Sequence, residues 1–198
     1  MNLETKTLLV VLGPTGVGKT ALSIRLAQQL QTEIISCDSR QFFKEMKIRT
    51  AVPSNEELSS VPHHFIQHKS IQEEYNVGDF EEEAMQRLKQ LFKKHDTVIM
   101  VGGSGLYIDA ICKGLDMFPD VSQKTRKKLR NKHAEKGLDW LQEEVKKKDP
   151  EYYKIADIQN AHRLLRCLEI CVESGKKFSS FRKKNTIKRP FNIRYIGL

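Results

Sequence analysis

Residues 6–20 read KTLLVVLGPTGVGKT. The first half is a run of leucine and valine without polar alternation, which is typical of a parallel strand buried on both faces. The second half, GPTGVGKT, matches G-x-x-x-x-G-K-[ST] in full, and apolar residues at near-helical spacing follow over residues 19–31. A strand, a glycine loop and a helix in this order predict a phosphate-binding loop.

Each part of the loop has a chemical role toward phosphate. Glycines let backbone N–H groups turn toward phosphate oxygens, and the start of a helix adds partial positive charge. A lysine neutralises a terminal phosphate, and a threonine hydroxyl is a ligand for Mg²⁺. We predict that Mg²⁺ is held at Thr20 and that a diphosphate binds at Gly13, Pro14, Thr15, Gly16, Val17, Gly18, Lys19 and Thr20.

The loop alone leaves open whether the diphosphate belongs to a nucleotide or to another ester. A P-loop ATPase usually has an Asp at the end of an apolar strand, whereas the strand-like run at residues 97–101 continues into glycines. The sequence also has no recognisable motif for reading a purine base. These features favour a small-molecule transferase or kinase over a motor or switch NTPase.

The rest of the first half predicts an α/β fold. Strand-like runs lie at residues 33–37 and 97–101 and again at 191–198, while helical patterns lie over 78–94 and from Ser104. Strands that alternate with helices predict a parallel sheet with helices on both faces. The predicted fold class is therefore α/β, a P-loop NTPase-like parallel sheet flanked by helices, with a helical insertion.

The insertion is indicated by a change of pattern near residue 120, where charged helical segments replace the strands. We predict a P-loop α/β core over 1–119, a helical insertion and return helix over 120–185, and a final core strand over 186–198. No helix follows that last strand. We therefore expect the chain to be a fragment of something longer, which leaves its own activity open.

The composition predicts a cytoplasmic protein with reduced thiols. No apolar run approaches the roughly 18 residues that a membrane span needs, and none of the four cysteines forms a C-x-x-C pair. Cys167 and Cys171 lie four residues apart with His162 nearby, but a second ligand pair is missing, which favours core packing over a metal site.

The charge of the chain points weakly to a polyanionic partner. The net charge is +9, and residues 176–198 contain eight Lys or Arg and no acidic residue. Such a segment suits a polyanion. Charge alone nevertheless favours a solvated basic face.

Two further segments predict ligand contacts at the carboxyl ends of strands. Asp38 follows the second strand, where the ligand crevice of a doubly wound sheet lies, although an isolated Asp in a turn is the alternative. The third strand leads into Gly102–Gly105, in which Ser104 supplies a hydroxyl near a helix start. A simple tight turn is the alternative there.

Taken together, six segments resemble the tRNA dimethylallyltransferase family over nearly the whole chain. They are GPTGVGKT, SCDSRQFF with Thr50, Ala51 and Pro53 downstream, PHHF, YNVGDF, VGGSGLY and HRLLRCLEICVESGK. The resemblance implies transfer of a dimethylallyl group from its diphosphate to the exocyclic amine of the adenine adjacent to the tRNA anticodon. It also implies that the loop holds prenyl diphosphate rather than ATP.

The resemblance further implies roles for individual residues. Asp38 would engage the attacking amine, and Arg166 would reach the diphosphate. Ser104 stands where the family usually has Thr and keeps the hydroxyl, so we expect it to keep the catalytic role as well. Contacts with tRNA would come from Ser39, Arg40, Gln41 and, more weakly, Arg163. We expect a monomer whose partners are tRNA and dimethylallyl diphosphate, with no membrane partner. His63 and His64 are left out of the catalytic set, because adjacent histidines more often pack or cap.

Two rival functions stay open on sequence alone. One is an ATP-dependent small-molecule kinase that uses the same loop, with Asp38 as the base for a hydroxyl acceptor. The other is an RNA-binding module whose loop only anchors phosphate.

Overall fold

The computed structural model describes residues 5–48, 50–182 and 187–198. The chain divides into an α/β unit, Met1–Leu115 with Thr186–Leu198, and a helical unit, Asp116–Asn185. The first boundary follows Leu115 rather than residue 119, because Phe118 stacks on Phe178 in the core of the helical unit. Of the predicted basic segment 176–198, residues 183–186 lie outside the described residues.

The α/β unit is built on a sheet of five parallel strands in the order β3-β2-β4-β1-β5. The strands are β1 (Thr7–Leu12), β2 (Ile34–Ser36), β3 (His63–His64), β4 (Thr97–Gly102) and β5 (Asn192–Gly197). Leu12 at the end of β1 pairs with Gly102 at the end of β4 and with Gly197 at the end of β5. The carboxyl ends of the strands therefore share one edge, and the predicted parallel sheet is confirmed.

Helices cover both faces of this sheet. They are α1 (Lys19–Gln29), α2 (Asn55–Ser60), α3 (Val77–Leu91) and α4 (Gly105–Lys113). Leu8 and Val10 of β1 pack in the same cluster as residues of α3 and α4, while Val11 packs with Ile24 and Ala27 of α1. Successive residues of a strand point to opposite faces, so a central strand covered on both sides has no polar position. This explains the uninterrupted apolar run of β1.

The helix α3 illustrates how local sequence fixes an element. Asn76 accepts hydrogen bonds from the N–H groups of Gly78 and Asp79, and the Asp79 carboxylate accepts one from Asn76 N, which completes a capping box. The buried face of the helix consists of residues three or four apart: Phe80, Ala84, Leu88 and Leu91. Burial of each of its larger apolar side chains stabilises the fold by about 1.5–3 kcal/mol.

The helical unit consists of α5 (Gln123–Lys148), α6 (Pro150–Tyr153) and α7 (Ala161–Ser174), followed by a 3₁₀ turn at Phe178–Ser180. Gly137 interrupts α5 with φ 76° and ψ −172°. These angles are not helical, so α5 consists of two helical segments that meet at a kink at Gly137. No helix among the described residues is both long and apolar enough to cross a membrane.

The two cysteines of the helical unit are free thiols that belong to its core. Cys167 and Cys171 are buried, and Asp149 rather than His162 is the third residue whose ligand atoms lie within 4.8 Å. The Asp149 carboxylate accepts hydrogen bonds from Tyr152 N, Ser179 N and Ser179 Oγ. The backbone N–H of Phe178 donates to Cys171 Sγ. These groups thus hold α6, α7 and the 3₁₀ turn together.

Candidate functional site

The phosphate loop has the backbone that its glycines allow. Gly16 and Gly18 have φ of 85° and 95°, values that L side chains rarely adopt. Gly18 is the N-cap of α1, and no side chain caps that helix. The first N–H groups of an α-helix have no intrahelical partner, so those of α1 are left for an anion, which the positive end of the helix also attracts.

Five of the eight loop residues line a cavity of about 300 Å³: Thr15, Gly16, Gly18, Lys19 and Thr20. Lys19 Nζ donates to the carbonyl oxygen of Pro14 at 2.6 Å, so the ammonium group lies over the loop. Gly13 instead approaches the end of the chain, where a Cβ would lie 2.7 Å from the carbonyl oxygen of Leu198. Val17 is exposed outside the cavity lining.

Asp38 lines the same cavity, at the loop that follows β2. Its Oδ1 accepts a hydrogen bond from Arg40 N at 3.1 Å, which is the turn contact expected of an Asp at this position. Its Oδ2 has no hydrogen-bond partner within the described part of the chain. One carboxylate oxygen of Asp38 therefore shapes the turn, as the turn alternative predicted. Contact of the other oxygen with a ligand stays a prediction.

Ser104 joins the loop after β4 to the loop after β2. Its Oγ accepts a hydrogen bond from Ser39 N at 3.1 Å and lies 3.3 Å from Ser39 Oγ. Ser104 is the N-cap residue of α4, but its side chain makes no capping hydrogen bond, and it does not line the cavity. In this structure the Ser104 hydroxyl thus supports the loop that carries Asp38, and its catalytic role stays a prediction.

Gln41 is buried, and its side-chain amide is hydrogen-bonded to other groups of the protein. Its Oε1 accepts from Ser36 Oγ at 3.0 Å, and its Nε2 donates to the carbonyl oxygens of Ala51 and Thr50 at 2.8 and 3.2 Å. These bonds hold the Thr50–Ala51 segment at the cavity. Arg40, by contrast, is exposed. Contact of Ser39, Arg40 and Gln41 with tRNA stays a prediction.

His63, which the sequence interpretation left out, lines the cavity beside the loop and Asp38. Its Nδ1 lies 2.7 Å from the carbonyl oxygen of Val61, and a carbonyl only accepts, so Nδ1 carries the proton. Its Nε2 is buried without a hydrogen-bond partner among the described residues. Burial lowers the pKa of His63, so the neutral ring presents the Nε2 lone pair as an acceptor.

Glu57 is the second cavity residue that sequence interpretation missed. It belongs to a capping box at the start of α2, in which Ser54 Oγ accepts from Glu57 N and the Glu57 carboxylate accepts from Ser54 N. The S-x-x-E spacing at 54–57 was a usable signal for this helix. A strand of only two residues, His63–His64, has no periodicity that could have revealed His63.

The two predicted arginines lie on α7 in the helical unit. The side chain of Asn160 caps this helix by accepting from Arg163 N at 3.2 Å. Arg163 and Arg166 are both exposed, and Arg166 lines a second pocket within the helical unit. The implied role of Arg166 toward diphosphate stays a prediction, as does contact of Arg163 with tRNA.

The arrangement in the α/β unit defines a class. A glycine loop joins the first strand of a parallel sheet to the first helix, and a carboxylate from the next strand lines the same cavity. This is a P-loop NTPase-like fold with a cavity at the carboxyl ends of the strands, where ligands bind in open α/β sheets. The sequence profile of the family described as IPP transferase matches residues 41–198, and the chain belongs to that family.

Two bacterial proteins are similar to this chain over nearly its whole length. A protein of Christiangramia forsetii named tRNA dimethylallyltransferase is 56% identical over 96% of this chain. A protein of the same name from Flavobacterium psychrophilum is 53% identical over 96% of the chain. The chain spans 63% and 64% of the lengths of these two relatives.

Solved structures of the family match the fold. A eukaryotic dimethylallyltransferase described as acting on tRNA has a TM-score of 0.81 at 29% identity, over 98% of this chain and 48% of that one. A tRNA isopentenylpyrophosphate transferase from Bacillus halodurans has a TM-score of 0.59 at 31% identity, over 97% of this chain and 59% of that one.

Proposed function

We propose that this chain transfers a dimethylallyl group from dimethylallyl diphosphate to the exocyclic amine of the adenine adjacent to the anticodon of a tRNA. The single observation that carries the proposal is the shared cavity, in which the phosphate loop and Asp38 line one space. The names of the relatives, tRNA dimethylallyltransferase, support this chemistry over other uses of a phosphate loop.

The loop residues would act on the leaving diphosphate. An adenine amine is a poor nucleophile because its lone pair is delocalised into the ring, so the allylic carbon must become strongly electrophilic. The C–O bond to diphosphate breaks as charge builds on the leaving oxygens. Lys19 and the uncapped N–H groups of α1 stabilise that charge from positions that are fixed before the reaction.

The residues present fit a Mg²⁺ ion beside the diphosphate. Thr20 lines the cavity, and its hydroxyl has no hydrogen-bond partner among the residues that the structure describes, so this oxygen is available as a hard ligand. Mg²⁺ prefers such oxygens together with substrate phosphates. When bound, it would neutralise charge on the diphosphate.

Asp38 would act on the acceptor. Its unpaired Oδ2 orients the exocyclic amine and takes its proton as the new C–N bond forms, while the diphosphate departs with the electrons of the broken C–O bond. His63 supplies a second acceptor in the same cavity, because its Nε2 lone pair is buried there without a partner among the described residues. Two acceptors suit an amine that must be held by its N–H groups.

The acceptor base would have to leave its stack to reach this cavity, at a cost of a few kcal/mol, which favours a base in a loop. The chain has a net charge of +9, which suits the phosphates of an RNA stem. We further propose that it acts as a monomer, because the loop and Asp38 come from one chain. The free cysteines of the described residues suit a reducing compartment such as the cytoplasm.

Replacement of Asp38 by asparagine tests the proposal. We expect Asp38→Asn to lower the rate of transfer to an anticodon stem-loop by about 100-fold or more, because the proton acceptor is lost. Binding of the RNA and of dimethylallyl diphosphate should persist, as measured by fluorescence and by calorimetry. The matched control is Asp157→Asn, since Asp157 makes the same kind of turn contact, to Gln159 N, outside the cavity.

Two results would contradict the proposal. Transfer by Asp38→Asn at the parent rate would remove Asp38 from the chemistry. RNA binding by the parent chain without any turnover would identify an RNA-binding module instead.

A further inference from the structure

The helical unit has a second pocket, with a volume of about 220 Å³, between the facing sides of α5 and α7. Two arginines one turn apart come from α5, and the other lining residues occupy positions i, i+3, i+4 and i+7 on one face of α7. The lining consists of Arg126, Arg130, His162, Leu165, Arg166 and Glu169. Cationic side chains from two helices therefore converge on one space.

Among the described residues, Glu169 is the one acidic residue in the pocket lining beside these cations. No ion pair within 4 Å involves the three arginines or Glu169 in the described part of the chain. The Nε atom of Arg126 is buried and makes no hydrogen bond to any described residue. An unpaired buried donor is costly. Three guanidinium groups beside one carboxylate leave the pocket positive, and guanidinium groups match the geometry of phosphate oxygens.

Glu169 distinguishes this pocket from a simple anion site. Its residue surface is only 5% exposed, and its carboxylate makes no hydrogen bond within the described ranges. A carboxylate repels a compact, highly charged anion but accepts hydrogen bonds from a neutral hydroxyl. An RNA phosphodiester has such a hydroxyl on the adjoining ribose, whereas DNA and free diphosphate do not.

We propose that this pocket binds the RNA backbone, with Arg126 and Arg130 on one phosphodiester and Glu169 on the neighbouring ribose 2′-hydroxyl. The inference rests on the proposed function, because it assumes that the acceptor is a tRNA. It makes Glu169 the residue that selects RNA over DNA at this point of contact. Phosphate contacts alone carry no such selectivity.

The test combines changes in the protein with changes in the RNA. Each ribose of an anticodon stem-loop is replaced in turn by its 2′-deoxy form, and affinities are measured for the 198-residue parent chain and its variants. We expect one 2′-deoxy position to weaken binding to the parent by about tenfold, as the loss of a hydrogen bond to a charged group predicts. Glu169→Met should be insensitive at that position, and Glu169→Gln, which keeps an acceptor oxygen, should stay sensitive.

Arg130 tests the phosphate half of the pocket and is exposed, so its replacement leaves the fold intact. Arg130→Ala should reduce the slope of log affinity against log salt by about one. The control is Lys127→Ala, which removes one exposed charge from the same helix outside the pocket and should change the slope less.

Three results would overturn the inference. The first is that each 2′-deoxy replacement in the RNA changes the affinity of the parent and of Glu169→Met by the same factor. The second is that Lys127→Ala and Arg130→Ala change the slope of log affinity against log salt equally. The third is binding of inorganic diphosphate that depends on Arg130, which would make this a diphosphate pocket. If the parent bound RNA no better than DNA, the proposed function would fail as well. If the parent transferred the dimethylallyl group but the parent and Glu169→Met had the same sensitivity to every 2′-deoxy replacement, only the role of this pocket would be refuted.

Discussion

The hydrogen bond between His63 and the carbonyl oxygen of Val61 decides which ring nitrogen faces the cavity. Because Nδ1 is bound as a donor, Nε2 is left as an acceptor, and burial lowers the pKa of the ring so that it is neutral at pH 7. The contact with the Val61 carbonyl oxygen therefore makes His63 Nε2 a hydrogen-bond acceptor in the cavity. The ordinary pKa of His is 6.5, and the shift is downward.

We predict that His63→Phe lowers the transfer rate about tenfold, because one hydrogen bond to the acceptor base is lost. The parent rate should be independent of this ring above pH 6.5 and should fall as the pH drops through its lowered pKa, where Nε2 becomes protonated. In His63→Phe the transfer rate should not show the decrease that protonation of His63 causes in the parent. The measurement is the pH–rate profile of both proteins, and identical profiles would show that Nε2 does not contact the reacting groups.

The close approach of β2 and β4 explains why a glycine ends β4. A Cβ at position 102 would lie 2.6 Å from Cys37 Sγ and 2.8 Å from the Cys37 carbonyl carbon, next to Asp38. A Cβ at position 105, in the first residue of α4, would meet nothing within 4 Å. The glycines of the GGSG segment thus differ: Gly102 is required by packing and Gly105 is not.

We predict that Gly102→Ala lowers the free energy of unfolding by about 1–3 kcal/mol through overpacking, and that it also slows transfer by displacing the loop of Asp38. Gly105→Ala should leave stability unchanged or raise it by up to about 1 kcal/mol, because alanine favours a helix. Urea denaturation of both variants measures the difference. Equal stabilities would mean that β2 and β4 have room to separate.

Sequence patterns predicted the elements that have long-range regularity or a strict motif. The apolar run of β1, the loop ending at Thr20 and the buried stripe of α3 were sufficient for the sheet and its covering helices. The short strand β3 was not predictable, because its pairing with β2 is a tertiary contact. For the same reason the sequence could suggest Gln41 as a site residue but could not show that its side-chain amide is hydrogen-bonded to Ser36, Thr50 and Ala51.

The chain leaves the α/β unit and returns to it at adjacent points of that unit. Ile187 N donates to the carbonyl oxygen of Lys113 at 2.7 Å, and Arg189 Nε donates to that of Ile111 at 2.7 Å. An insertion whose ends lie close together interrupts its host little. The α/β unit should therefore fold when residues 116–185 are replaced by a short Gly-Ser linker.

We predict that this shortened protein still binds dimethylallyl diphosphate through the phosphate loop and binds an anticodon stem-loop more than about tenfold more weakly, since phosphate contacts with basic side chains are lost. Circular dichroism confirms folding, and calorimetry and fluorescence give the two affinities. Unchanged RNA binding would place the RNA contacts in the α/β unit. A large loss of diphosphate affinity would instead assign Arg166 to the diphosphate.

The most direct measurement is a calorimetric titration of the chain, with Mg²⁺ present, using dimethylallyl diphosphate and ATP in parallel. The account predicts saturable binding of dimethylallyl diphosphate, much weaker binding of ATP, and loss of the first signal in Lys19→Ala but not in Lys47→Ala, whose lysine is exposed outside the cavity. Tight binding of ATP, or binding of dimethylallyl diphosphate that survives Lys19→Ala, would contradict it.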